Sequence, residues 1–276
     1  MARRVAGLLC AALLTAPVAR AADWVAFRWT GPHAFPHAAV LLPARVDGMD
    51  CYVQLDTGAN GRFIPAGRAD ATDTPAREVT VSVAGHSVKA SVPQVLLVAL
   101  SSDGHRRAGT VGNGFFENGT LTLDLRHARV SYSDDALLRD DSDAAPITYV
   151  RHEGWEGGHI TVPITLPGEP QQQALFDTGA ALFTFAPLRQ SLYEALRSAE
   201  SRPLTASSWG EDIGCDISPL TTPLRVSQYT LDSGVLGHCR KAVDIGVPIA
   251  GIVGLGGFAD RTITIDYPSR KWKVTR

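Results

Sequence analysis

Leu55-Asp56-Thr57-Gly58-Ala59 and Phe176-Asp177-Thr178-Gly179-Ala180 are the stretches from which the fold of this chain can be read. Each follows an apolar run. The first is approached by Val40-Leu41-Leu42-Pro43, then Val46-Asp47-Gly48, then Tyr52-Val53-Gln54. The second is approached by Ile160-Thr161-Val162-Pro163, then Pro167-Gly168, then Ala174-Leu175. Both read as a strand, a glycine-containing turn and a second strand that delivers an aspartate.

The likeness continues downstream. Gly109-Thr110-Val111-Gly112-Asn113-Gly114-Phe115-Phe116 leads into Leu121-Thr122-Leu123-Asp124, and Gly251-Ile252-Val253-Gly254-Leu255-Gly256-Gly257-Phe258 leads into Ile263-Thr264-Ile265-Asp266. These blocks align without a gap, which marks an internal duplication. Asp56 precedes Gly112 by 56 positions and Asp177 precedes Gly254 by 77, so the second copy is enlarged by 21 residues.

A chain of 276 residues with 45% hydrophobic and 20% charged residues can bury a sizeable core, and the duplication favours two lobes of roughly 120 residues each. A net charge of −2 with scattered Lys and Arg gives no electrostatic reason to expect nucleic acid as a partner. Short β-type runs dominate: Trp24 to Trp29, Val79 to Val83, Ser87 to Ser91, Gln94 to Leu100, Leu121 to Leu125, Ile160 to Leu166, Leu224 to Leu231 and Ile263 to Tyr267. Gly, Pro, Asn and Asp punctuate them, as in an all-β or mainly β protein. The clearest helix starts at Pro187, with Leu188, Leu192 and Leu196 on one face, and a helical turn fits Phe115 to Asn118. Asp134, Asp135, Asp140, Asp141 and Asp143 crowd the junction between the copies and read as an exposed linker.

Arg3-Arg4, the apolar run from Val5 to Leu14 and Ala19-Arg20-Ala21 fit a signal peptide over residues 1–21, with cleavage before Ala22. A periplasmic or secreted location is expected, with no membrane anchor in the mature chain. That compartment permits disulfides. Cys215 and Cys239 both fall in the enlarged interval and are the expected pair, while Cys51 reads as a buried free thiol. His33 and His37 are four apart, but Pro32 and Pro36 oppose a helix, so a surface loop is expected there rather than a metal site.

One Asp-Thr-Gly is an ordinary turn: Asp accepts from backbone N–H groups, Thr suits a strand end, and Gly supplies the unusual φ. Two copies related by duplication can do more. Lobes packed about a pseudo-twofold axis bring equivalent turns face to face. Carboxylates meeting at about 3 Å share one proton, and so offer an acid and a base together.

The paired apolar-Asp-Thr-Gly-Ala, the later Thr110-Val111-Gly112 and Ile252-Val253-Gly254, and the closing Leu-Thr-Leu-Asp and Ile-Thr-Ile-Asp strands resemble the aspartic proteases, both bilobed pepsin-like and half-sized retropepsin-like. The short lobes and the Gly-x-Gly-Phe blocks resemble a tandem of retropepsin-like domains over residues 35 to 276. The resemblance implies a bilobed fold of two related β-barrel-like lobes with a cleft between them, an N-terminal lobe over 22–140 and a C-terminal lobe over 141–276. It implies an aspartic endopeptidase, active as a monomer on peptide or protein substrates, with no cofactor and no metal. By the same resemblance Asp56 and Asp177 hold the attacking water, Thr57 and Thr178 bond across the lobes, and Gly58 and Gly179 let N–H groups approach. Gly112 and Gly254 pack behind the turns.

Departures are visible. Asn60 and Ala181 stand where many bilobed members carry Ser or Thr. A substrate-covering flap fits Val81 to Ala90, turning at Ala84-Gly85-His86, without the tyrosine of pepsin-like flaps. A non-catalytic peptide-binding or scaffold protein of the same fold is therefore the rival expectation. Asp124 and Asp266 recur like the candidate pair, but their strand-end positions suit a structural role.

Overall fold

The computed structural model describes residues 23–66, 75–93, 107–197, 200–208 and 211–276. The signal-peptide segment, the run from Gln94 to Leu100 and residues 67–74 lie outside them. Among the described residues strands dominate, in three sheets.

Each Asp-Thr-Gly is held by the same arrangement. In the first lobe Ala39–Val46 pairs antiparallel with Met49–Leu55, which in turn runs parallel to Arg107–Val111. Asp47 and Gly48 both adopt positive φ, 48° and 82°, at the tight turn between the first two strands. This is the two-residue hairpin turn that Asp-Gly favours. In the second lobe His159–Thr165 pairs with Gln172–Phe176, which runs parallel to Gly251–Val253. The aspartates close these strands: Asp56 N–H donates to the Val111 carbonyl at 3.0 Å and Asp177 N–H to the Val253 carbonyl at 2.9 Å.

The third sheet is shared. Its order is Val25–Ala26, Arg129–Ser133, Thr120–Asp124, Thr262–Asp266, Lys271–Thr275 and Ala145–Pro146. The two closing strands of the duplication lie side by side at its centre, antiparallel, with Thr122 opposite Thr264 and flanking pairs Leu121–Ile265 and Leu123–Ile263. The pairing is thus symmetric about Thr122 and Thr264, and it supplies the pseudo-twofold relation between the lobes. Leu121, Leu123, Ile263 and Ile265 are completely buried there. The result is a mainly β, bilobed architecture in which two related lobes share one sheet.

Several sequence expectations are corrected in detail. Leu224 to Leu231 is a hairpin, Leu224–Val226 and Tyr229–Leu231, because Ser227 takes a positive φ of 52° and reverses the chain. The acidic tract is strapped to the shared sheet rather than left as a free linker. Leu138 is buried with its N–H on Asp266, and Lys273 bonds Asp141 at 2.8 Å. The helix expected from Pro187 occupies Gln190–Leu196, and the turn expected at Phe115 occupies Asn113–Phe116. The β run expected from Trp24 to Trp29 is present as strands Val25–Ala26 and Arg28–Thr30, with Phe27 between them in the core.

The enlarged part of the second lobe forms an added hairpin, Arg202–Ser208 with Glu211–Pro219, carried alongside Val235–Cys239. Cys215 and Cys239 are opposite each other in this register and are disulfide-bonded, 24 residues apart. Cys51 is buried and free. Its thiol bonds the Ala44 carbonyl, and burial pushes it up to about 11.

Candidate active site

The two Asp-Thr-Gly turns meet across the lobe boundary and are tied by reciprocal bonds. Thr57 N–H donates to Thr178 Oγ1 at 2.9 Å, and Thr178 N–H donates to Thr57 Oγ1 at 3.0 Å. The Thr57 hydroxyl donates to the Phe176 carbonyl at 2.9 Å. Both threonines are fully buried. In a dry interface these polar groups must be paired, so the bonds fix the turns against each other.

The glycines bring each turn up to the opposite aspartate. A Cβ on Gly58 would lie 2.5 Å from Asp177 Cγ, and one on Gly179 would lie 2.6 Å from Asp56 Cγ. No side chain fits in either place. Gly112 and Gly254 sit behind the turns, where a Cβ would reach 2.4 Å from the Ala59 carbonyl oxygen and 2.1 Å from that of Ala180.

Asp56 and Asp177 face each other across the paired turns, each against the glycine of the other turn, close enough for a hydrogen bond between the carboxyls to shift both pKa values. Burial holds the Asp56 carboxyl well above the usual carboxylate range, and the charge of Asp177 and the bond to it push the same way. Burial also raises Asp177, but the bond from Asp56 and three backbone N–H groups oppose it. Those N–H groups reach Asp177 Oδ1 from Gly179 at 2.7 Å, Gly58 at 3.1 Å and Ala180 at 3.3 Å. Two carboxyls in such a site titrate as a pair, and the backbone N–H groups on Asp177 favour its charged form.

Other expected residues lie elsewhere. Ala84 and Gly85 form the tight turn between Ala76–Val83 and His86–Pro93. His86 bonds the Phe115 carbonyl at 3.1 Å and packs 4.1 Å from the Tyr132 ring. These contacts tie the turn to the first lobe's own helix and to the shared sheet, and no bond joins it to either aspartate among the described residues. Ala181 is buried and Asn60 offers its backbone carbonyl to Gly114 N–H. Asp124 and Asp266 anchor the shared sheet. Burial would raise Asp124, but His127 and Arg129 outweigh it and hold the carboxyl below its ordinary value. Asp266 accepts from Leu138 N–H and from Ser269. His33 and His37 are exposed, with His37 stacked on Trp29.

Sequence reasoning passed over Asn113, Tyr267 and His159. Asn113 and Tyr267 are fully buried and bonded to one another behind the first turn. The signal was present in the duplication, where Gly112-Asn113-Gly114 stands against Gly254-Leu255-Gly256. His159 begins a strand of the second lobe, beside Trp155 and facing the Gly58 carbonyl. Burial first, and His152 second, lower its pKa. Periodicity alone does not distinguish it from a core histidine.

No family model matches the chain, and no curated protein matches it. Among solved structures it is similar to the crystal structure of basic 7S globulin from soybean, at 12% identity and a TM-score of 0.45, over 92% of this chain and 95% of that one. Among the described residues no helix is long and apolar enough to cross a membrane.

Proposed function

We propose that the protein is an aspartic endopeptidase that hydrolyses peptide bonds outside the cytoplasm, as a monomer, with one water activated between Asp56 and Asp177. The observation that carries this reading is the meeting of two Asp-Thr-Gly turns, tied by reciprocal threonine bonds, with each aspartate against the glycine of the other turn. Ionised Asp177 takes a proton from the water as its oxygen attacks the scissile carbonyl carbon, and the proton of Asp56 passes to the carbonyl oxygen. Breakdown of the tetrahedral species breaks the C–N bond, returns a proton to the leaving nitrogen and restores one proton to the pair. The disulfide between Cys215 and Cys239 is compatible with the oxidising compartment that the leader implies.

A second reading, a non-catalytic peptide-binding or scaffold protein, is favoured by Asn60 and Ala181, which bring no hydroxyl to the aspartates. The backbone N–H groups around Asp177 weigh against it, since they already satisfy the carboxylate. The two readings separate in one experiment. A diverse peptide library is digested across pH with the mature protein and with Asp56→Asn, and fragments are read by mass spectrometry. Peptidase activity predicts new termini with the wild type alone. Binding of peptides without any new terminus, at every pH, supports the scaffold.

A further inference from the structure

We propose that Asn113 and Tyr267 are positioning residues that feed a chain of hydrogen bonds into Asp177, so that the two aspartates have fixed and different roles. The proposal rests on the peptidase reading for its consequence in catalysis, but the chain itself can be tested without it.

The chain runs through four groups. Tyr267 O–H donates to Asn113 Oδ1 at 2.9 Å. Asn113 Nδ2 donates to the Thr57 carbonyl at 2.6 Å and to the Ala59 carbonyl at 3.2 Å. The Thr57 carbonyl belongs to the Thr57–Gly58 peptide, whose N–H donates to Asp177 Oδ1 at 3.1 Å. The orientation of the Asn113 amide is set by its partners. Two carbonyls need a donor, so the nitrogen faces them and the oxygen is left to accept from Tyr267.

Chemistry gives the chain a direction. A peptide whose carbonyl accepts a short bond is polarised, and its N–H becomes a better donor. Both Asn113 and Tyr267 are fully buried, so every link acts without competition from water. The second lobe has no counterpart: Leu255 replaces Asn113, and Leu125 stands where Tyr267 follows the repeated aspartate. Duplication made two equivalent turns, and this polar insertion makes them unequal. Asp177 thereby keeps the charge and acts as the base, leaving the proton on Asp56.

Other titratable groups face the chain. Asp56 lies across the pair, His159 faces the Gly58 carbonyl, and Tyr149 packs 5.9 Å from the Tyr267 ring, bonded to Glu117 and covered by Arg270. Neither Tyr267→Phe nor Asn113→Leu replaces any of these groups.

The test is a carboxyl-carbon NMR titration of protein labelled at aspartate Cγ, with the two resonances assigned by Asp56→Asn and Asp177→Asn. Tyr267→Phe removes one oxygen, and Asn113→Leu installs the residue of the other repeat. The Asp177 titration is expected to move to higher pH by about 0.1–0.2 units in Tyr267→Phe and by up to about 0.6 units in Asn113→Leu, the scale of a charge-bearing bond weakened by about 10–30%. The acidic limb of kcat/KM for peptide hydrolysis is expected to move with it. If Asn113→Leu does not fold, Tyr267→Phe decides. An unchanged Asp177 titration in the folded variants, or an upward shift confined to Asp56, overturns the proposal. Shifted titrations in a protein that cleaves no peptide would sustain the chain and refute the peptidase reading instead.

Discussion

Replacing Thr57 with Val should loosen the contact between the lobes more than any other change of one side-chain atom at their boundary. Valine keeps the shape of threonine and deletes the hydroxyl. That hydroxyl serves two buried backbone groups, the Phe176 carbonyl and the Thr178 N–H, at 2.9 and 3.0 Å. An unpaired buried polar group costs about 1–3 kcal/mol, so stranding both costs about 2–6 kcal/mol. The added methyl recovers less than about 1 kcal/mol of transfer free energy. A net loss of about 1–5 kcal/mol is a large share of the ~5–15 kcal/mol that a folded protein has in hand. Thr57→Ser keeps the oxygen and should lose only about 1 kcal/mol for its missing methyl. Urea unfolding of the three proteins, followed by amide exchange at Thr178, measures the difference. If Thr57→Val falls within about 0.5 kcal/mol of Thr57→Ser, the hydroxyl is not holding the turns together and the reasoning fails.

Stability should also depend on pH through the aspartate pair. Both carboxyls bind a proton more tightly in the folded state than the usual carboxylate does, so below about pH 4 neither state is penalised. Above it the unfolded chain releases protons that the folded pair retains, and stability falls by up to about 1.4 kcal/mol per pH unit per proton. Asp56→Asn should therefore gain on the wild type as pH rises from 4 towards 7 in urea titrations, and a gap that does not vary with pH would contradict this origin. Replacing Cys215 and Cys239 together by Ala should cost about 3–4 kcal/mol, the chain-entropy value for a separation of 24 residues; a loss under about 1 kcal/mol in thermal unfolding would show the hairpin needs no staple. Cys51 should resist iodoacetamide at pH 8 in the native mature protein and react fully in denaturant, because its thiol is buried and raised to about 11. Rapid native labelling would mean that the first lobe opens at this strand.

The features legible in the sequence are those that local chemistry repeats. Two strand–turn–strand units ending in Asp-Thr-Gly reveal themselves because the same turn residues recur in the same order, and the fold places both aspartates at equivalent strand ends. The pairing of Thr120–Asp124 with Thr262–Asp266 is not legible, since alternation specifies a strand but not its partner. Leu224 to Leu231 reads as one strand because no Gly or Pro marks the reversal at Ser227, which takes the positive φ itself. The acidic tract misleads in the opposite sense. Its charges suggest a solvated linker, whereas Asp266 and Lys273, distant in sequence, bind it to the sheet. Asn113 shows the same limit within the site: the difference from Leu255 is visible, but its meaning needs the Thr57 carbonyl and the Tyr267 hydroxyl in place.

The central claim is that Asp56 and Asp177 form one site rather than two similar turns. Its most direct measurement is the rate of peptide hydrolysis by the wild type, Asp56→Asn, Asp177→Asn and the double variant, at the pH of highest wild-type activity. If the pair acts as a unit, either single change removes as much activity as both together. Hydrolysis surviving in one single variant, or losses that simply multiply in the double variant, would contradict a shared site.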